Sequence, residues 1–133
     1  MTETNQNTPY TLIGGEKAVL SLVDRFYFLM DTLPEAAGIR AIHGKNLASA
    51  HEKLFKYLSG WLGGPDLYIR EYGHPRLRQR HFPFAIGPSE RDQWMLCMDK
   101  ALNEITMDAE LRQLLSQSLQ QLATHMINQD PQT

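Results

Sequence analysis

HPRLRQRHFPFAIG, residues 74–87, decides how this chain is read, because it starts as a helix and is broken before it can lengthen. Pro75 suits a first helical position, where its preset φ helps and the N–H it lacks would have no partner. Phe82-Pro83 then limits the run, since a residue before proline avoids the helical region. The product is a stub. On it Leu77 and His81 are four apart and share a face, with Arg76 and Arg80 on a second face beside it. An imidazole aligned with a leucine points inward, as a hydrogen-bonded core residue or as a ligand. Spacing alone leaves both readings open. His74, ahead of the proline, suits a cap of the preceding loop.

Outward from the stub the pattern is helical in both directions. Ser89 with Asp92 resembles a capping box with Asp in place of Glu, opening a helix striped by Trp94, Met98, Ala101 and Ile105. Asp108 is placed to cap the next helix, which carries Leu111, Leu114, Leu115, Leu119, Leu122 and Met126 and fades near Asn128. Towards the N-terminus, Gly14-Gly15 breaks the chain before EKAVLSLVDRFYFLMDTL, residues 16–33. Leu20, Val23, Tyr27 and Met30 recur there at offsets of three and four, and Pro34 stops the run. After a connection over residues 31–45, a second stripe takes in Leu47, Ala50, Leu54, Tyr57, Leu58 and Trp61. Asn46 is its candidate N-cap and Gly63-Gly64-Pro65 its end. Residues 65–74 have no strong period and read as loop. With no alternating run, the expectation is an all-α fold of four substantial helices and the stub. One domain spans residues 10–128, between a disordered polar tail at 1–9 and a frayed end at 129–133.

Composition excludes several function classes. The 133 residues, 42% of them hydrophobic, suffice for one core. With 15 acidic and 13 basic residues the net charge is −2, so nothing in the balance draws the chain to nucleic acid or an anionic membrane. Arg76, Arg78 and Arg80 lack an aromatic stacking platform and read as a solvated face. Cys97 is the single cysteine, which rules out an internal disulfide, a Cys-rich zinc module and a Cys-ligated cluster. That usage fits a reduced, cytoplasmic protein. His43, His51, His74, His81 and His125 are scattered, without paired-ligand spacing for zinc. The start MTETNQNTPY is not a secretory signal, and no window approaches the about 18 apolar residues of a membrane helix.

IGGEK (13–17), RFY (25–27), GGP (63–65), GHPRLRQRHFPF (73–84) and RDQWMLCM (91–98), in that order, resemble the group II truncated haemoglobins. The likeness spans roughly residues 10–128, and Gly73 to Met98 is its most specific part. It implies a two-over-two helical sandwich around haem b, with the proximal histidine on a short stub. By that resemblance His81 is the axial iron ligand, its Nδ1–H steered by a backbone carbonyl or other acceptor. Leu77 would pack under the porphyrin, Arg80 would reach a propionate, and Lys53 and Tyr68 would meet the haem edge. Ala50 stands where many globins place a distal histidine, leaving an opening for gas. Leu54, Tyr57 and Leu58 would line the haem plane or the wall behind it.

Periodicity by itself makes Tyr27 and Trp94 core filler. The resemblance makes them hydrogen-bond donors to a diatomic ligand, with the phenol and the indole N–H aimed at partial negative charge. AIHG departs from the family pattern. His43 is the expected third donor there, with Ile42 taking the position if the register slips by one. The implied activity is reversible binding of O2, and of NO and CO, with slow release. The alternative is haem redox chemistry, as an NO dioxygenase or peroxidase fed by an external reductase, for the chain has no flavin or nicotinamide fingerprint. A haem-free helical interaction module is the third reading. The expected assembly is a monomer or a weak homo-oligomer.

Overall fold

The computed structural model describes residues 8–128. Its helices are α1 (Pro9–Ile13), α2 (Glu16–Thr32), α3 (Ala37–Ala41), α4 (Ala48–Trp61), α5 (Leu67–Tyr72), α6 (Leu77–His81), α7 (Pro88–Asn103) and α8 (Ala109–His125), with a 3₁₀ turn at Pro34–Ala36 leading into α3. No strand occurs among the described residues. The stripes read from the sequence become the contacts of the fold: α2 packs on α4 and α7, and α7 on α8, two helices over two. Val19, Phe26 and Met30 of α2 meet Leu58 of α4, Met98 and Leu102 of α7, and Leu119 of α8 in one sealed core. Among the described residues no helix is long and apolar enough to cross a membrane.

The structure corrects the reading at the short elements. Residues 65–74, expected as loop, contain α5, and the connection over 31–45 contains the 3₁₀ turn and α3. Each is too brief to display a helical period. α5 buries only Tyr68, and Gly60 lets its start approach closely, since a Cβ on Gly60 would lie 3.2 Å from Asp66 Cα. Of the expected N-terminal tail, Thr8 and Pro9 are ordered: Thr8 Oγ1 accepts from the Thr11 N–H at 3.3 Å, and Pro9 starts α1. The rest of that tail and residues 129–133 lie outside the described residues.

The stub begins at Leu77 rather than Pro75, because Arg76 takes a left-handed conformation, φ 44°. For a side chain with a Cβ that conformation costs roughly 1–2 kcal/mol. His74 helps to hold it, Nδ1 accepting from the Arg76 N–H at 3.1 Å, so the loop-capping role expected of this histidine is realised. The capping pair of α7 is also displaced. Pro88 takes the first helical position, and Glu90 Oε1, not Asp92, accepts the Gly87 N–H at 2.7 Å. Ser89 Oγ instead accepts from Gln93 Nε2. Asn46 Oδ1 does cap the start of α4, taking the Ala48 N–H at 2.8 Å. Asp108 occupies the N-cap position of α8, but its carboxylate makes no capping bond.

α1 docks against the turn after α4, where the Tyr10 N–H donates to the Leu62 carbonyl at 2.9 Å. The ring of Tyr10 lies flat on Gly64, so a Cβ there would come within 2.5 Å of Tyr10 Cδ1. Gly64→Ala is therefore expected to destabilise the fold by about 1–3 kcal/mol in denaturant unfolding, as overpacking does. In a Tyr10→Ala background the same change should cost clearly less; an equal cost in both would show that the ring is not the obstacle.

Candidate functional site

A cavity of about 680 Å³ opens among α3, α4, α6, α7 and α8 and the loop after α6. Its size is in the range of cofactor and ligand sites. The stub supplies Leu77, Arg80 and His81 to the wall, and the offset of four places leucine and imidazole there together as expected. The His81 Nδ1–H donates to the Leu77 carbonyl at 2.6 Å. A carbonyl can only accept, so Nδ1 carries a proton, and in the neutral tautomer it is Nε2 that keeps the lone pair. Nε2 has no partner among the described residues. An imidazole held in this way presents one fixed ring nitrogen to the cavity.

Trp94 and His43 reach the same cavity from α7 and from the turn after α3. Phe26, fully buried, joins the aromatic groups: its ring centroid lies 5.1 Å from Trp94 and 4.8 Å from Tyr27, both edge-on. Tyr27 in turn meets the His43 ring at 6.2 Å. Tyr27 itself does not line the cavity but stands one ring behind its wall. Burial pushes its phenol far above the ordinary range, so it stays protonated, a donor at any working pH. Neither that hydroxyl nor the Trp94 indole N–H has a hydrogen-bond partner among the described residues.

Ile42 and His43 both line the cavity, so the register question dissolves. His43 Nδ1–H donates to the Ile39 carbonyl at 2.9 Å. Desolvation pulls the His43 pKa below its ordinary value, opposed by that carbonyl and reinforced by the charge of Arg40 and by that of His81 when its ring is protonated. At neutral pH the ring is uncharged and Nε2 is an acceptor, so the donor role expected of it calls for the protonated ring. Arg40 fixes the turn that carries His43, with its guanidinium donating to Asp31 Oδ1, the Gly44 carbonyl and the Lys45 carbonyl.

Ala50, Lys53, Leu54, Tyr57 and Tyr68 stand on the wall, whereas Leu58, 1% exposed, belongs to the core behind it. Lys53 and Arg80 are exposed at the cavity edge, the Arg80 guanidinium 5.8 Å above the Tyr68 ring. Sequence reasoning missed the other half of the wall. Ile39 comes from an unforeseen helix, and Phe84 and Ile86 from the loop after the stub. Leu122 on α8 and Met126 just past its end were legible only as a core stripe. Arg91 also faces the cavity, tied to Asp92 and to Thr124 Oγ1.

Comparison with known proteins agrees with this geometry. Residues 8–128 match the family described as Bacterial-like globin. The group 2 truncated hemoglobin of Bacillus subtilis is 38% identical over 123 residues, covering 92% of this chain and 90% of its own. The solved group II 2-on-2 hemoglobin of Agrobacterium tumefaciens superposes with a TM-score of 0.92 at 47% identity, covering 97% of this chain and all of that one. The solved structure of truncated oxygen-avid haemoglobin from Bacillus subtilis gives 0.82 at 38% identity, covering 92% of this chain and 100% of that one. Stub, cavity and helix pairing have the same explanation: the chain belongs to the group II truncated haemoglobins, 2-on-2 members of the bacterial-like globin family.

Proposed function

We propose that this protein binds O2 reversibly, and NO and CO by the same chemistry, at haem b held by His81, with release slowed by Trp94 and Tyr27. The observation that carries the reading is the unpartnered Nε2 of His81 in a largely apolar cavity of about 680 Å³. When bound, haem would supply an iron able to take a diatomic gas, and His81 is the residue that would hold it. The residues present fit it. Leu77, Leu54, Ile86 and Met126 offer apolar surface, and Lys53 and Arg80 offer cations for its two carboxylates at the exposed edge. That the Bacillus subtilis relative is described as oxygen-avid supports the same choice of ligand.

Each polar group then has a task. His81 gives its Nε2 lone pair while the Leu77 carbonyl holds Nδ1–H and thereby the ring plane. The Trp94 N–H, unpartnered on the wall, donates to a ligand atom that carries partial negative charge. Tyr27 donates from behind and cannot ionise, so it never presents a repelling phenolate. His43, neutral, accepts rather than donates and becomes a second N–H donor towards the cavity only when acid protonates it. Ala50 leaves space on the wall where a larger side chain would narrow access.

Haemin titration followed by visible and resonance Raman spectra tests the axial assignment. Wild type should give a one-to-one complex with an iron–imidazole signature, and His81→Ala should lose that signature; an unchanged ferrous spectrum in the variant overturns the reading. Trp94→Phe removes one donor worth roughly 1.5–3 kcal/mol, so O2 dissociation should quicken by about ten- to a hundredfold in stopped flow.

Acidity gives a separate check. His43 has a folded-state pKa below its ordinary 6.5, so the unfolded chain binds protons more readily. That contribution to stability is therefore intact above pH 6.5 and is lost as pH falls through the folded value. His43→Phe should flatten this part of the apoprotein's pH–stability curve, and in the haem complex should abolish the slowing of O2 release expected in acid.

A further inference from the structure

The end of α8 grips the stub from both sides. Arg78, the second residue of α6, sends Nη1 to the carbonyls of His125 at 2.7 Å and Ile127 at 2.9 Å. Beyond His81, Asn128 exchanges bonds with Ile86: its backbone N–H donates to the Ile86 carbonyl at 2.8 Å, and its Oδ1 accepts the Ile86 N–H at 3.0 Å. Its Nδ2 donates to the carbonyls of Phe84 at 2.8 Å and of His81 itself at 3.2 Å. The stub needs such help. It has five residues, a left-handed residue at its start and no side-chain cap, and a helix that short does not stand alone. Arg78 meets α8 where the last carbonyls lack helical partners and the dipole's negative end favours a cation.

We infer that Asn128 and Arg78 are positioning residues for His81, a clasp from the C-terminal end of α8 that fixes the height and tilt of the imidazole in the cavity. The inference rests on the proposed haem binding, because height and tilt set the strength of the axial bond to iron. The chemistry selects asparagine at 128. Its amide accepts from Ile86 while donating to two carbonyls; an aspartate could accept from Ile86 but would set negative charge against the Phe84 and His81 oxygens. The clasp lies on the proximal side of the chemistry and touches none of Tyr27, His43 or Trp94, so it tunes the iron–imidazole bond independently of the distal donors.

The test uses the full chain reconstituted with haemin, as wild type, Asn128→Asp and Arg78→Gln. Wild type is read first, and failure to take up haemin sinks the proposed function, not the clasp. Given uptake, both variants should lose haemin to apomyoglobin faster, by about tenfold, and should shift or broaden the ferrous iron–histidine stretching band. The stretching frequency of bound CO, which reports the distal donors, should stay at the wild-type value. The clasp is overturned if haemin loss and the iron–histidine band match wild type in both variants. It is equally overturned if proximal and distal signals move together with a drop in the unfolding midpoint, which marks general loosening. Should Asn128→Asp not fold, Arg78→Gln, at an exposed position, decides the matter alone.

Discussion

The hydrogen bond from His81 Nδ1–H to the Leu77 carbonyl is the constraint on which the site depends. It settles three things together. It assigns the proton to Nδ1, frees the lone pair of Nε2, and locks the ring to a backbone atom one turn away. Without it, neutral imidazole would exchange tautomers and turn about its χ angles, and the cavity would contain an unoriented base. With it, the wall presents one fixed electron-pair donor, the property an iron site requires of a protein ligand. This economy has a structural consequence. The helix that makes the bond is only five residues long, so its own hydrogen bonds cannot hold it, and its orientation is borrowed from α8.

The other wall is ordered by packing rather than by hydrogen bonds. Phe26 is fully buried between α2 and α7 and meets Trp94 and Tyr27 edge-on, so the two polar rings are spaced by an apolar one. Edge-on aromatic pairs contribute about 0.5–1.5 kcal/mol beyond burial and restrict ring tilt. The indole N–H and the phenol are thereby held in place while remaining without partners. Of the two, Trp94 belongs to the cavity wall and Tyr27 stands one ring behind it.

Most of the fold was legible because its long helices bury one broad stripe each, and α2, α4, α7 and α8 announce themselves by offsets of three and four. Elements with a single buried residue, such as α3 with Ile39 and α5 with Tyr68, leave no period to find. The leucine–histidine pair of the stub was readable from spacing, but the left-handed Arg76 was not, since its N–H is held by the ring of His74, a contact that no periodicity encodes. Leu58 and Tyr27 show the same limit on α4 and α2. A stripe says that a side chain faces inward, while the boundary between core and cavity wall is set by neighbouring helices. Asn128 was invisible for a stronger reason: a polar residue at a fading helix end has meaning only through the loop it meets, more than forty positions earlier in the chain.

The charge arrangement derives from the same geometry and bears on which ligands the proposed function admits. Lys53 and Arg80 are solvent-exposed at the cavity edge, where water screens them. Deeper in, the titratable groups near the aromatic arc are uncharged at neutral pH: burial keeps the Tyr27 phenol protonated, and desolvation together with Arg40 keeps His43 neutral. An anionic guest would have to shed its hydration and would meet deeper in only Arg91, already paired with Asp92, a penalty that grows in low dielectric. A neutral diatomic gas sheds almost nothing on arrival. Under the proposed function, selection for small neutral ligands would therefore lie in keeping these protonation states fixed.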